Sequence, residues 1–401
     1  MKLLLSMIAI LSSTFLFACD RTSRITSIER EDLFTLDIGI MEDQIALFDL
    51  GMDQGIRLAN HVMMDGLFYI SDGNGAKILR YNSFGDLLFM IYNDETNPPP
   101  MTLRPLSEGS LVTRWSVRHN LNEPGEIAVD SRRHIYVRDR LPTEQHRFDT
   151  ETRSLLNNVI LHFDADGRFM NYLGREGVDG TPFPRIEGIY SSINDELAVI
   201  CRHSLGWDIY WFNSDGMLLF MVQLNLDALP IPPDRENVFP SLDRISVAVD
   251  ERALYIKVDY FTYVYDESTN LRIGIEPDSS VIWVMNVETG VWMRYVDIPF
   301  FEHTAFEQNR RVTHRMHFSL LGMIRNGRAV LTFPVDDGYS LLIISTDTSG
   351  AQYRGFISVD NDQLQFNAFS LSADGILSGL LVDDWQVRLA WWRLDRFIGG
   401  S

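Results

Sequence analysis

The stretch Pro124-Gly125-Glu126-Ile127-Ala128-Val129-Asp130 is followed by Ile135-Tyr136-Val137-Arg138-Asp139 and then by Ile160-Leu161-His162-Phe163-Asp164-Ala165-Asp166-Gly167. Each segment is a short run rich in β-branched and aromatic residues, next to residues that favour tight turns. In order, the segments predict three successive strands of one antiparallel sheet. The final glycine predicts the turn into a fourth strand.

This pattern returns six times between about residue 56 and the C-terminus. The first turn of each unit is predicted at residues 64–66, 130–133, 194–195, 250–252, 326–327 and 374–375. In the first five units a second turn is predicted at Gly85, Gly167, Gly216, Gly290 and Gly350. Repeats of four short strands at this period are typical of β-propellers. The sequence therefore predicts an all-β fold, a six-bladed β-propeller of four-stranded antiparallel blades in one domain over residues 33–401.

The last unit contains only three predicted strands, around residues 366–371, 376–382 and 387–394. Two candidate strands near the N-terminus, residues 33–40 and 44–50, belong to no unit. We expect one of them to complete the last blade, so that the ring closes by pairing the two ends of the chain and no sheet edge stays exposed. Within residues 93–125, the run ending at Trp115 predicts either an added strand or part of a seventh blade.

The N-terminus has the pattern of a targeting segment. Met1-Lys2 precedes an apolar stretch, residues 3–17, that is too short to span a bilayer. The segment ends Leu16-Phe17-Ala18-Cys19, which resembles a bacterial lipobox, and Phe17 departs from the small residue usual at its position. This predicts a signal peptide over residues 1–18, a lipid on Cys19 and a tether over residues 19–32; plain secretion and an uncleaved anchor are the alternatives. The expected location is the cell envelope, on a side that the sequence does not specify.

The order of strands and glycine turn in the second unit resembles the NHL repeat of six-bladed propellers. The first unit matches it at residues 67–72 and 78–85, and the third at residues 210–216. A lipid-anchored propeller of this kind is also similar to a set of uncharacterised spirochaetal lipoproteins. The resemblance implies a propeller architecture and a location in the cell envelope, and it implies no particular activity.

The extra length of the chain falls into two kinds of connection. Long loops are predicted between the second and third strands of a unit, at residues 141–157 and 260–280, and as linkers between units, at residues 93–125, 174–185, 225–243 and 299–317. Because strands alternate in direction, both kinds of connection emerge on the same side of the disc. Loops of this length in a compact domain are commonly functional. The sequence therefore predicts one plain face and one elaborated face.

Charge limits the classes of partner. The formal net charge of −20 excludes the phosphate-tracking surface of a nucleic-acid binder. Two basic clusters nevertheless occur in predicted linkers: Arg104, Arg114, Arg118 and His119 in one, and Arg310, Arg311, His314 and Arg315 in the other. Two interpretations stay open, namely salt bridges to the excess of Asp and Glu, or an anion-attracting rim around the mouth of the central channel.

Recognisable chemistry is scarce. The sequence contains no zinc-protease, nucleophile-elbow or paired-cysteine motif, and Asp164-Ala165-Asp166-Gly167 lacks the later carboxylates of a calcium loop. We therefore assign no catalytic residue, metal ligand or cofactor, and we expect Cys201 to be a buried small residue.

Two functions remain open. The favoured one is a non-catalytic binding or scaffold module, monomeric, held at a membrane by its lipid and facing an envelope protein or anionic ligand. The alternative is a propeller hydrolase or lyase, lactonase-like, with a metal at the central channel. Three acidic or amide side chains meeting on the channel axis would favour the alternative.

Overall fold

The computed structural model describes residues 26–47, 59–106, 113–307, 310–347 and 349–399. Two strands come first, β1 (Thr26–Ser27) and β2 (Arg30–Asp37). Sheet one contains β3 (Asn60–Met64), β4 (Leu67–Asp72), β5 (Lys77–Asn82), β6 (Leu87–Tyr92), β7 (Arg104–Pro105) and β8 (Trp115–Arg118). Sheet two begins with β9 (Ile127–Val129) and β10 (Ile135–Arg140). A small hairpin follows, β11 (Arg147–Asp149) and β12 (Ser154–Leu156).

Sheet two continues with β13 (Asn158–Phe163), β14 (Phe169–Gly174) and β15 (Gly177–Val178). Sheet three contains β16 (Arg185–Ser191), β17 (Leu197–His203), β18 (Gly206–Phe212) and β19 (Leu218–Asn225). Sheet four contains β20 (Phe239–Val247), β21 (Ala253–Tyr265), β22 (Arg272–Asn286) and β23 (Trp292–Asp297). A second hairpin follows, β24 (Phe301–Glu307) and β25 (Arg310–Met316).

Sheet five contains β26 (Ser319–Ile324), β27 (Arg328–Val335), β28 (Gly338–Ser345) and β29 (Gln352–Ser358). Sheet six contains β30 (Phe366–Leu371), β31 (Ile376–Val382) and β32 (Gln386–Arg393). Helical structure in the described residues is limited to α1 (Leu394–Gly399) and four single turns of 3₁₀ helix, Thr143–Gln145, Ile193–Asp195, Leu226–Ala228 and Asn361–Gln363.

Within each of sheets one to five, four successive main strands pair antiparallel, and short turns join the first to the second and the third to the fourth. The five glycines predicted at the second turn all have φ between +60° and +84°, a backbone conformation that residues with a Cβ rarely adopt. In sheet six the fourth strand is β2, which pairs antiparallel with β32 from Arg30 opposite Trp392 to Asp37 opposite Gln386.

Three sheets carry strands beyond the predicted four. The sequence predicts an added strand as one of two alternatives for the run ending at Trp115, and β8 begins at that residue, whereas β1, β7 and β15 were not predicted. In sheet one, β8 pairs parallel with β6 and β7 pairs parallel with β8; β15 extends sheet two, and β1 pairs parallel with β29 of sheet five. The prediction of four strands in every blade is therefore wrong for these sheets. The physical reason is that an outer strand leaves unpaired N–H and C=O groups, and a passing linker satisfies them.

Six apolar clusters hold the sheets together, and each lies between two neighbouring sheets. Representative buried pairs are Phe89 with Val137, Ile160 with Val199, Trp211 with Ile256, Tyr255 with Leu331, Ile343 with Trp392, and Leu389 with Phe68. Each sheet thus buries both faces against its two neighbours, and the sixth packs against the first. This arrangement is an all-β propeller.

Two predicted irregular segments have a different structure. Residues 260–280 do not form a loop, because β21 and β22 extend to 13 and 15 residues and turn only at residues 266–271. Residues 26–32, assigned to the tether, include β1 and the beginning of β2. In both cases the segment pairs with a strand whose edge is available: β1 with β29, β2 with β32, and the outer part of β21 with β22.

The chain after β2 is fastened to sheet one by a buried ion pair. Lys77 Nζ lies 3.8 Å from Asp72 Oδ2, and both side chains are almost fully buried. Lys77 Nζ also donates to the Met41 carbonyl oxygen at 2.7 Å, and Asp72 accepts from the Ala46 N–H at 2.8 Å.

The predicted strand at residues 44–50 is absent over its described part, where Ile45 makes only a single bridge to Ile38.

Two predictions concern cysteines and the N-terminus. Cys201 is fully buried, and burial raises the pKa of its thiol well above the usual value, as expected for an inert core residue. The signal peptide over residues 1–18 and the lipid site Cys19 lie outside the described residues. Among the helices that the structure describes, we find none with the length and apolar character needed to cross a membrane.

Leu36 of β2 tests the junction between sheets six and one. Leu36→Ala removes buried methyl groups and leaves a cavity, so we expect the free energy of unfolding to fall by about 2–4 kcal/mol. The matched control is Leu219→Ala on β19, where the side chain is 36% exposed and the expected change is below about 1 kcal/mol. Urea unfolding followed by tryptophan fluorescence measures both; equal losses would show that β2 does not stabilise this junction.

Candidate functional site

The first strands of the six sheets, β3, β9, β16, β20, β26 and β30, line a central cavity of about 570 Å³. On the turn side, where the tight turns emerge, neighbouring sheets are linked around the opening. The links are Arg133 to Asp65 (3.6 Å), Ser131 N–H to Asp195 (2.8 Å), Ser192 Oγ to the Ala248 carbonyl (2.6 Å), Asn326 N–H to Asp250 (3.1 Å) and Arg325 to Asp374 (2.8 Å). The polar groups at this mouth therefore join sheet to sheet.

On the loop side, where the longer connections emerge, charged side chains of the channel wall also have partners. Glu126 accepts from Arg138 Nε at 2.8 Å, and Glu187 accepts from Trp207 Nε1 at 3.0 Å. Arg244 Nη1 lies 3.2 Å from each of two backbone carbonyl oxygens, those of residues 320 and 321. In the part of the chain that the structure describes, no group of three or more His, Cys, Asp or Glu side chains is placed to hold a metal ion.

His61 occupies the seam between sheets one and six beside the channel. Its Nε2 lies 2.9 Å from Ser378 Oγ, and the Ser378 hydroxyl donates to the Ser370 carbonyl at 3.2 Å. Either Nε2 or the serine hydroxyl donates in the contact between them, depending on which ring nitrogen carries the proton. The Nδ1 atom is buried without a hydrogen-bond partner among the described residues. Burial lowers the pKa of His61 to about 4, which keeps the ring neutral.

The first predicted basic cluster lies at the outer edge of sheet one. Arg104 and Arg114 flank the short ladder of β7 and β8, and Arg114 Nε donates to the Leu87 carbonyl at 2.7 Å. Arg118 lies 3.4 Å from Asp94, and His119 stacks on Phe169 with ring centroids 4.7 Å apart. Because β3 and not β8 lines the channel, this cluster lies away from the channel mouth, and the contact of Arg118 with Asp94 corresponds to the other interpretation left open, salt bridges to acidic residues.

The second predicted basic cluster lies on β25 in the hairpin between sheets four and five. Arg310, Arg311 and Arg315 are exposed, as is His314, which stands opposite His303 in the ladder. Arg315 Nε lies 3.4 Å from Glu302, and its guanidinium stands 5.8 Å from the centroid of Phe300. The two clusters do not meet, since sheet one packs on sheets two and six.

Sequence reasoning missed a buried charged cluster on the loop side of sheet four. Lys257 is fully buried, with Nζ 2.7 Å from Asp259 and 3.3 Å from Asp243. Asp259 also accepts from Ser280 Oγ at 2.6 Å and lies 3.6 Å from His317 Nδ1. A lysine in the middle of a strand carries no motif, and only the fold brings these partners from three strands and a linker together.

A row of stacked rings covers this cluster; we call Phe239, Phe261, Tyr263, Phe300 and His317 the aromatic row. Phe239 stacks on Tyr263 (4.6 Å between centroids) and on Phe261 (5.8 Å), Phe261 meets His317 edge to face (5.2 Å), and His317 stacks on Phe300 (5.2 Å). Burial lowers the pKa of His317, and the nearby Asp259 carboxylate opposes that shift. The row is therefore an uncharged surface at neutral pH.

A cation stands at each end of the aromatic row. The Arg272 guanidinium lies 3.8 Å from the centroid of Tyr263, and Arg315 lies over Phe300 as described above. Arg272 and Arg315 are both exposed, and Arg315 Nε also lies 3.4 Å from Glu302. The arrangement can bind a ligand that is apolar in its middle and anionic at its flanks.

No protein-family model and no curated protein matches the sequence. Among solved structures, the chain is similar to a PL25 ulvan lyase, a polysaccharide lyase bound to -[GlcA(1-4)Rha3S]-, with 10% identity and a TM-score of 0.39 over 91% of this chain and 84% of that one. It is also similar to KlHsv2 with loop 6CD replaced by a Gly-Ser linker, with 11% identity and a TM-score of 0.26 over 55% of this chain and 57% of that one. Another similar structure is the Pyrococcus horikoshii acylaminoacyl peptidase, with 10% identity and a TM-score of 0.33 over 67% of this chain and 44% of that one. At these values the likeness carries no argument about function.

His61 predicts a pH dependence of stability. The folded pKa of about 4 lies below the unfolded value of about 6.5, so the stabilisation from the neutral ring is present above pH 6.5 and is lost as the pH falls toward 4. The His61→Gln protein has no such titration. Relative to it, the free energy of unfolding of the wild type should fall by up to about 3 kcal/mol between pH 7 and pH 4. Urea unfolding at a series of pH values measures both proteins; parallel curves would contradict the assignment.

Proposed function

We propose that this protein is a lipid-anchored propeller of the cell envelope that acts as a non-catalytic binding or scaffold module. Its contacts lie on the loop side. The observation that carries the proposal is the concentration there of exposed apolar and cationic side chains on projecting hairpins, β11–β12, β24–β25 and the outer part of β21–β22. Exposed apolar groups of this kind, rimmed by charges, mark interaction surfaces.

The proposal includes a closed six-bladed ring. Sheets one to six would be the blades, with β2 as the outer strand of the last one. Two observations support this: the first strands of all six sheets contribute to one central cavity, and apolar clusters join each sheet to two neighbours. A closed ring would give the loop side a rigid base, because each of the six described sheets would pack against two neighbours.

The lipid anchor rests on the Leu16 to Cys19 pattern. Thr26 pairs with Gly355 on the outer strand of sheet five, seven residues after Cys19. An extended chain of that length spans at most about 25 Å. A lipid on Cys19 would thus hold the rim of the disc close to the membrane surface and leave the loop side able to reach a neighbouring envelope component.

The alternative is a lactonase-like hydrolase or lyase with a metal at the central channel. It requires several oxygen ligands that converge on one ion. The channel carboxylates Glu126 and Glu187 are instead bonded to side chains of their own sheets. No observation on the described residues favours this alternative, so the binding module is the function that we propose.

The anchor is tested by fractionation. We expect the mature protein to partition into the detergent phase of a membrane extract, and the Cys19→Ala protein to appear in the aqueous phase because it lacks the acyl chains. Mass spectrometry of the mature N-terminus should show a modified cysteine. An unmodified Cys19, or a membrane-bound Cys19→Ala protein, would contradict the lipid anchor.

The binding face is tested by photo-crosslinking in intact cells. A photoreactive phenylalanine analogue replaces Leu205 or Trp385 on the loop side, and Phe84 or Met217 on the turn side; all four positions are exposed. We expect crosslinked adducts of one mass from the loop-side positions and none from the turn-side positions. Adducts of equal yield from both sides, or from the turn side alone, would contradict a binding role for the loop side.

A further inference from the structure

We infer that the aromatic row is the docking site for an extended, acidic protein segment in which apolar and acidic residues alternate. The inference rests on the proposed binding role and names the class of partner. Three features of sheet four carry it: an exposed apolar arm, a row of rings at the base of that arm, and cations at both ends of the row.

The arm is the outer part of β21 and β22. Along it, five large apolar side chains are between 39 and 65% exposed: Tyr263, Tyr265, Leu271, Ile273 and Ile275. Tyr263 and Ile275 stand directly opposite each other in the ladder. The ladder between β21 and β22 shifts register after Tyr260 and after Val264. Phe239 stacks on both Phe261 and Tyr263, so these two rings share a face, and Phe261 meets His317 in the linker that leads to sheet five. The exposed apolar face therefore points toward the side on which the hairpin β24–β25 leaves the sheet.

The hairpin β24–β25 supplies the second wall. Its ladder is regular from Glu307 opposite Arg310 to Phe301 opposite Met316, so residues 311, 313 and 315 share one face. Arg315 stands over Phe300, at the end of the aromatic row. Arg311 therefore lies on the face of the strand that looks toward the row, and Arg310 lies on the opposite face.

The shape and charge of this surface select the partner. In an extended segment, successive side chains point to opposite sides. A segment that alternates apolar and acidic residues can lay its apolar side chains on the row and the arm while its carboxylates reach Arg272, Arg311 and Arg315. Aromatic residues and arginines are the residue types that contribute most to protein interfaces.

Two other occupants fit less well. A lipid surface is disfavoured by the tip of the arm, where hydrogen bonds from Ser268 and Thr269 lower the pKa of Asp266 to about 2 and keep it ionised. Glu267 adds a second carboxylate at the tip. A sugar acid polymer shares the anionic chemistry, but it offers nothing apolar to the exposed isoleucines at positions 273 and 275.

Fluorescence anisotropy with defined probes tests the inference. The probes are a labelled peptide of alternating valine and glutamate, about 33 Å long when extended over about ten residues, the same peptide with lysine in place of glutamate, and polygalacturonate. The wild-type protein should bind the glutamate peptide at least about tenfold more tightly than the lysine peptide, and the preference should shrink as salt is raised. Equal binding of both peptides, or tight binding of polygalacturonate alone, would overturn the inference.

Two pairs of variants locate the binding. Arg311→Glu with Arg315→Glu should weaken binding of the glutamate peptide by about tenfold, whereas Arg310→Glu on the opposite face of the same strand should change it by less than about threefold. Tyr263→Ser with Ile275→Ser should weaken it by a similar factor. The matched control is Phe148→Ser with Leu155→Ser, an exposed apolar pair on the hairpin β11–β12. Thermal melting verifies that each variant is folded.

The outcomes separate the docking site from the broader function. If a test variant and its control lost affinity for the glutamate peptide to the same extent, the aromatic row would not be the docking site. Loop-side crosslinks in cells together with no preference for the glutamate peptide would overturn the docking inference and leave the binding role standing. Crosslinks from the turn side alone would contradict the binding role of the loop side, even if the peptide bound to the isolated protein.

Discussion

Each sheet of this protein is apolar on both faces, and burial of both faces requires a neighbour on either side. Six clusters between sheets meet this requirement, and the last joins sheet six to sheet one. Removing apolar surface from water is worth about 25 cal/mol per Å², so the junctions contribute most of the stability. Of the main strands in each sheet, the first contributes to the central cavity, and the added strands lie at the outer edges.

The same constraint leaves the outer edges and the connections free to vary. The linkers after sheets one and two end as additional strands, and the segment before β2 pairs with β29. Elsewhere the connections project, as β24–β25 and the outer half of β21–β22 do. A projecting hairpin contributes little to the core, and an isolated hairpin is only marginally stable in water. Arms of this kind with apolar and cationic faces are the surfaces on which we propose that a partner docks.

The pattern of turns and strands could be predicted from the sequence because it depends on residue type and on spacing over a few residues. Glycine at positions such as 85 and 216 is needed for positive φ, and alternation of apolar residues marks each strand. An added strand at the run ending at Trp115 was one of two predicted alternatives, and β8 begins at that residue. The strands β1, β7 and β15 and the long arm of sheet four were not predicted, because such segments form strands only where the edge of another strand is available for pairing. The two basic clusters were found from the sequence, but only the structure shows that Arg104, Arg114 and Arg118 lie at the outer edge of sheet one.

The sequence by itself determined the all-β class, the succession of short strands and turns, and the acidic surface, since these depend on residue type and short-range spacing. Only the tertiary structure decided which groups meet. Lys257 and Asp259 of β21 meet Asp243 of β20 and His317 of the linker before β26, and the rings of the aromatic row come from four separate segments. Such contacts arise from the pairing of strands within sheet four and from the linkers that pass beside it, and short-range spacing contains no record of them.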